Sequence, residues 1–223
     1  EPVQACERVF MTSGTTRAEV KGRHWHPTTA VWDLSMRRNF AQRFMGGHER
    51  VPMAILFPPE TELGNSSLAR YLAQAVREFG APGSGWFVTS QGMDGPGLRA
   101  RLRQAQAGGE PFALLGASYS FVHLMDEMQR EGESFRLPAG SRILDTGGYK
   151  GQARELPLDE FYDALSAAFG VPRERCINMY GMTELSTQFY DDGNATVPSV
   201  KTGPHWLRSR LVDPLTGRDV PRG

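Results

Sequence analysis

The sequence predicts an α/β fold on two observations. Short β-branched or aromatic runs alternate with segments of helical periodicity along the whole chain, the order of elements that characterises that class. Each loop of unusual composition also follows directly on a predicted strand, at the end where open α/β sheets bind ligands.

The elements follow in order. "RVFM" (Arg8 to Met11) is a strand, and the polar loop "TSGTTRAEVKG" comes after it. From Pro27 to Phe44, the residues Trp32, Met36, Phe40 and Phe44 recur every fourth position, a helix stripe ended by Gly46 and Gly47. "VPMAILF" (Val51 to Phe57) is a continuous apolar run and reads as a buried strand, with "PPETELGNSS" a polar, mobile connection behind it. "SSLARYLAQAVREFG" is a helix capped by Ser66 or Ser67 and stopped at Gly80. "GWFVTS" is strand-like and "GLRARLRQAQAGG" helical; "FALLGAS" is a strand that feeds the helix "YSFVHLMDEMQREG". "SRILDTGG", "LDEFYDALSAAFG" and "RCINMY" are strand, helix and strand, and "WLRSRLVDP" begins an antiparallel element.

Composition narrows the class of function. The chain has 223 residues, 39% hydrophobic and 22% charged, with 25 basic residues against 25 acidic ones. That length buries a substantial core, and zero net charge speaks against binding a nucleic-acid backbone. No apolar run approaches the ~18 residues of a membrane span, and "EPVQACERVF" has neither the basic nor the apolar region of a signal peptide. Cys6 and Cys176 alone make neither a disulfide framework nor a zinc site. A cytoplasmic protein is expected. The chain opens without methionine and stops at "LVDPLTGRDVPRG", a hairpin-like turn lacking its returning strand, so a piece of a longer protein is expected.

Three loops carry chemistry. In "TSGTTRAEVKG", hydroxyls and backbone amides around Gly14, with Lys21 behind, suit a polyphosphate. It is no Walker loop, because Gly22 stands where that motif needs serine or threonine. In "LDTGGYKGQAR", Gly147 and Gly148 let backbone approach a ligand, Tyr149 offers a stacking face, and Lys150 and Arg154 offer cations. In "NMYGMTELSTQFYDD", Tyr180 suits stacking on a heterocycle and Gly181 removes bulk beside it. Thr183 suits donation to a phosphate, and Glu184 is a hard oxygen ligand suited to magnesium on that phosphate. Each loop alone is equally compatible with an ordinary turn; three in one α/β chain are not so easily dismissed.

Taken together, these loops resemble the signatures of the adenylate-forming superfamily (acyl-CoA synthetases, luciferase, peptide-synthetase adenylation domains). "MTSGTTRAEVKG" resembles its phosphate loop, "DTGGYKG" lies where its adenine-contacting glycines belong, and "YGMTE" matches its second signature. "RHWHP" and "VDPLTGRDVPRG" occur in the corresponding order, and the details look most like the LuxE-type acyl-protein synthetase branch. The resemblance implies a layered mixed β-sheet flanked by helices, part of the large N-terminal domain of such an enzyme. Residues 1–223 would be a single nucleotide-binding domain, with the ribose-binding aspartate and the lysine-bearing C-terminal subdomain beyond Gly223.

Residue roles follow from the same resemblance. Thr12, Ser13, Gly14, Thr15 and Thr16 would cradle the β- and γ-phosphates of ATP, with Lys21 nearby. Gly147, Gly148 and Tyr149 would line the adenine, Tyr180 would stack on it beside Gly181, and Asn178 would bond its edge. Thr183 would bind the α-phosphate and Glu184 the Mg2+ ion; Thr183, Glu184 and Lys21 are the implied catalytic set. The implied activity is ATP-dependent activation of a carboxylic acid, fatty or aryl, and transfer of the acyl group to a thiol of a protein, CoA or carrier. Arg17 departs from the pattern, standing where the family has glycine, and the segment to Lys21 is one residue longer. That departure supports the alternative of a non-catalytic nucleotide- or acyl-binding module; retention of Thr183 and Glu184 opposes it.

Other candidates read as structural. Cys176 lies in a strand-like run and is expected to be buried. His24 and His26 have no third ligand nearby in sequence. His123 is expected to pack among Phe121, Leu124 and Met128, and "GASYSFVHLM", by the resemblance, to lie beside the acyl pocket. "DEMQREGE" is a solvated helix end.

Overall fold

The computed structural model describes residues 3–12, 21–149 and 151–220. In chain order they form β1 (Arg8–Met11), β2 (Arg23–His26), α1 (Ala30–Arg43), β3 (Met53–Leu56) and α2 (Ser67–Phe79). Next come β4 (Gly85–Trp86), β5 (Val88–Thr89), β6 (Gly92–Met93), α3 (Gly95–Gly108), β7 (Ala113–Ala117) and α4 (Ser118–Glu131). The last are β8 (Arg142–Thr146), α5 (Leu158–Phe169), β9 (Cys176–Tyr180) and β10 (Phe189–Tyr190).

Six strands share one sheet in the order β10-β9-β8-β7-β3-β4. Its strands pair in parallel except β10, which runs antiparallel to β9. Side chains alternate across it. Leu56, Leu114, Ile143 and Cys176 pack with α3, α4 and α5, while Ile55, Leu115, Leu144 and Ile177 pack with α1 and α2. Both faces are therefore dry, which is why these strands read as unbroken apolar runs. The mixed sheet between two helical layers is the architecture expected from sequence.

Local signals explain the helices. The stripe Trp32, Met36, Phe40 and Phe44 is buried as one face of α1 and its end. The Ser66 hydroxyl accepts the Ala69 amide at 3.2 Å and caps α2. Gly80 ends α2 with φ −73°, so the chain leaves extended and bridges to Val51 in parallel.

Several expectations need correction. "GWFVTS" is not one strand: Trp86 packs on the α1–α2 side and Phe87 on the other, and Val88–Thr89 then turns off to pair with Gly92–Met93. β2 and β10 were not expected at all; both are short arms fixed by antiparallel pairing to β1 and β9. The antiparallel element begun by "WLRSRLVDP" is a bridge at Val212 and not a full strand, and Trp206 donates from Nε1 to the Ser35 hydroxyl at 3.0 Å. The turn "LVDPLTGRDV" does have its return arm, with Val212 and Asp219 bridged antiparallel. The "PPETELGNSS" connection is pinned by Glu60 to Arg8 and Arg70, and by Glu62 to the Ser90 amide. The charged run after Asp126 is more than solvated: Glu127, Glu131 and Glu133 converge on the buried Arg99 at 3.1–3.2 Å. His123 is exposed, because its neighbours Phe121, Val122 and Leu124 take the core face of α4.

Candidate functional site

The topology fixes where a ligand fits. The chain steps from β3 to β4 on one side and then to β7 on the other, a reversal of strand order that opens a crevice at the carboxyl ends. A cavity of about 330 Å3 lies there. Its walls are Phe57 and Pro58 after β3, Ala117 at the end of β7, Thr146 to Gly148 after β8, and Gly181 to Thr183 after β9. The strands approach closely at this end. Gly116 pairs with Leu56, and a Cβ on Gly116 would sit 2.6 Å from Leu56 Cβ.

The turn after β8 is built from below. Gly147 has φ +77°, open to glycine at little cost, and a Cβ added to Gly148 would meet nothing within 4 Å. Beneath it lies the fully buried carboxyl of Asp145. It accepts the Ser118 hydroxyl at 2.9 Å, the Asn178 amide at 2.8 Å and the Tyr162 hydroxyl at 3.0 Å. Burial pushes the Asp145 pKa up to about 6, against the lowering effect of these three donors. The Ser118 oxygen also stands 3.2 Å from the Thr146 carbonyl and 3.3 Å from that of Gly147, so strand, turn and helix α4 meet at one hydroxyl.

The turn after β9 is tied to β1. Thr183 Oγ1 lies 3.5 Å from the Met11 carbonyl oxygen, and Met11 itself lines the cavity. One residue on, Thr12 closes the base of the loop read as phosphate-binding. Its amide donates to the Gly22 carbonyl at 3.0 Å, and its hydroxyl accepts the Gly22 amide at 2.9 Å. Lys21 is exposed beside that clamp. Ser13, Gly14, Thr15, Thr16 and Arg17 lie outside the described residues.

The structure therefore gathers Gly147, Gly148, Gly181 and Thr183 on one cavity with Met11 of β1, while Thr12 and Lys21 stand outside its lining. Asn178, Tyr149, Tyr180 and Glu184 also stand apart from the cavity lining. The Asn178 amide is bonded to Asp145, and the Tyr149 hydroxyl donates to the Leu156 carbonyl at 3.1 Å while its ring meets Phe161. Tyr180 is exposed, its ring tilted on Phe189 with 6.2 Å between centroids. Glu184 is exposed. Among the described residues, no group of three or more His, Cys, Asp or Glu could hold a metal by itself. Glu184 fits the different case of magnesium held chiefly by phosphate oxygens and water with one carboxylate.

Sequence reasoning missed part of the wall. Trp32 of α1, Ser66, Ser67, Leu68 and Tyr71 at the start of α2, and Gln188 line the same cavity. From "LLGASYSFVHLM" only Ala117 and Tyr119 reach it; Leu114, Phe121 and Leu124 belong to the core. A signal was present at Tyr71, an aromatic five residues from the helix cap Ser66, but its partner is far away. Its hydroxyl lies 2.7 Å from that of Tyr190, both fully buried. Cys176 is buried as expected, and burial pushes its thiol up, so it is no nucleophile.

Comparison with known proteins bears on fold. No protein-family model and no curated protein matches the chain. Among solved structures, it is similar to "McyG A-PCP complexed with phenylalanyl-adenylate" at TM-score 0.54 and 15% identity, over 87% of this chain and 28% of that one. A weaker likeness, TM-score 0.48 and 13% identity over 83% of this chain and 34% of that one, is to "2-Hydroxyisobutyryl-CoA Ligase (HCL) in the postadenylation state in complex with R3-HIB-AMP". The chain thus spans about a third or less of the length of these structures. The first likeness shows that it shares the fold of part of such a protein. Among the described residues, no helix is long and apolar enough to cross a membrane.

Proposed function

We propose that the chain is the nucleotide-binding part of an enzyme that activates a carboxylic acid with ATP. The observation that carries this reading is one crevice shared by the turns after β8 and β9 and the end of β1: Thr183 stands against Met11, with Gly147 and Gly148 on the same cavity. In it, one carboxylate oxygen of the acid attacks the α-phosphorus of ATP. The new acyl–O–P bond forms as the bond to the departing pyrophosphate breaks, and a thiol then takes the acyl group and releases AMP. Thr183 donates to the α-phosphate, the backbone at Gly147 and Gly148 lies along the adenine, and the loop from Thr12 to Lys21 holds the outer phosphates. Glu184 is the ligand for a magnesium ion, which supplies charge neutralisation on the phosphates when bound. Preorganised donors of this kind act mainly by position and charge.

The substrate in this reading is a fatty or aryl acid. The apolar surfaces of Trp32, Phe57, Leu68 and Met179 on the cavity support it. The thiol acceptor is a protein, CoA or a carrier. Acid-dependent ATP–pyrophosphate exchange, measured on the full-length protein, tests the proposal; exchange that no acid stimulates would leave only a nucleotide- or acyl-binding module.

A further inference from the structure

One hydroxyl beneath the cavity has more acceptors than hydrogens. Ser118 Oγ stands 2.9 Å from Asp145 Oδ2, 3.2 Å from the Thr146 carbonyl and 3.3 Å from the Gly147 carbonyl. A serine carries a single O–H, so the three compete for it. Asp145 decides the outcome. Its other two partners are fixed: Asn178 Nδ2 can only donate, and the buried Tyr162 hydroxyl has no second acceptor among the described residues. Ser118 can reverse, because its oxygen can accept from Asp145 while its hydrogen turns to a backbone carbonyl.

We propose that Asp145 is a positioning residue for the wall of the cavity. When its carboxyl takes up a proton from solvent, it donates that proton to Ser118 Oγ, and the Ser118 hydrogen turns to the carbonyl of Gly147. On ionisation the hydrogen returns to Asp145. Among the described residues, the Gly147 carbonyl has no other donor and the Gly148 amide has no acceptor. The peptide between them is planar and trans, so a carbonyl held on Ser118 also fixes the Gly148 N–H, pointing the opposite way. Both glycines line the cavity. The proton on Asp145 therefore sets how firmly this wall is presented to a ligand. The effect on a nucleotide rests on the proposed function; the exchange of hydrogen bonds does not.

The groups that face Asp145 do not share its titration. Burial pushes up the Tyr162 hydroxyl of α5, the Cys176 thiol of β9 and the Tyr149 hydroxyl of the turn, so these stay neutral. β7 carries no titratable side chain. Asp191, with Lys201 Nζ at 3.5 Å, adds a like charge that pushes Asp145 in the same direction as burial does.

The test follows the Gly148 amide of the full-length protein by NMR, with isotope-labelled glycine, between pH 5 and 7.5. Calorimetry over the same range uses adenosine, which has no phosphate to titrate. In the wild type the Gly148 resonance should shift with a midpoint of about 6. Adenosine affinity should fall by roughly tenfold as pH rises through it, the effect of one hydrogen bond. Ser118→Ala should keep the pH slope of stability, because Asp145 still titrates, and lose both of the other responses. Asp145→Asn should bind adenosine with a single affinity throughout. A Gly148 resonance that does not move, or that moves equally in Ser118→Ala, overturns the inference, as does adenosine binding that is flat with pH. A Ser118-dependent shift without adenosine binding at any pH removes the nucleotide reading and keeps the proton-controlled turn.

Discussion

The hydroxyl of Thr183 stands 3.5 Å from the carbonyl oxygen of Met11, across 172 residues of chain. That approach joins the turn after β9 to the end of β1, and Glu184 follows next in the chain. Glu184 is exposed and holds no ion pair among the described residues, so its replacement has little to break in the fold. In the full-length protein, Glu184→Gln should keep the wild-type melting temperature and lower acid-dependent ATP–pyrophosphate exchange by on the order of a hundredfold. Exchange at the wild-type rate would remove the proposed metal role.

Gly147 and Gly148 should respond differently to the same change. Gly147 has φ +77°, and Gly147→Ala should cost about 1–2 kcal/mol of stability. At Gly148 a Cβ has open space, so Gly148→Ala should stay within ~0.5 kcal/mol of wild type, and Gly148→Leu should weaken ATP binding by filling the crevice. Denaturant titration beside nucleotide titration reads both; equal stability losses at the two positions would contradict this account.

Tyr71 and Tyr190 form a closed pair. Each hydroxyl is buried at 2.7 Å from the other, and burial pushes both pKa values up, so the pair stays neutral. Tyr71→Phe or Tyr190→Phe alone strands a buried hydroxyl and should cost about 1–3 kcal/mol, whereas the double replacement should recover much of the loss. A double-mutant cycle by urea unfolding decides it; strictly additive losses would show that the hydroxyls do not depend on each other.

The buried Asp145 should give stability a definite slope with pH. Its pKa rises from 3.8 to about 6 on folding, mainly through burial. The folded protein therefore holds this proton more tightly, and the associated stability is fully present below about pH 4 and is lost as pH rises through about 6. The swing is about 3 kcal/mol, and Asp145→Asn should lack it. Unfolding free energies of both proteins between pH 4 and 7 should show the wild-type advantage shrinking as pH rises; an advantage that grows would reverse the sign of the argument.

Much of the fold was legible because its signals are local. The four-residue recurrence of Trp32, Met36, Phe40 and Phe44 needs only helix geometry, and β3, β7, β8 and β9 announce themselves as apolar runs because both sheet faces are covered. β2 and β10 were illegible for the opposite reason. "RHWH" and "FY" carry no run of their own and become strands through pairing with β1 and β9. The site divides the same way. Gly147, Gly148, Gly181 and Thr183 lie in recognisable loops, whereas Trp32, Tyr71 and Gln188 reach the cavity by helix and sheet packing that spacing does not encode. Asn178 and Tyr149 have the right chemistry for a nucleotide, yet Asp145 and Leu156 engage their polar ends. An aspartate following the apolar pair Ile143 and Leu144 in the strand "RILDT" was the available hint of that buried network.

The two-residue strands β4 and β10 flank the six-stranded sheet on either side. An edge of that length exposes few unpaired amides and carbonyls, and β10 is further occupied by Thr202, whose amide and carbonyl bond Tyr190 at 2.8 and 3.1 Å. A neighbouring molecule finds little template there for strand-by-strand addition. The long, sticky strands β3, β7, β8 and β9 are thereby kept to the interior of the row, so in concentrated solution the sheet should resist growing into fibrils while the fold is intact.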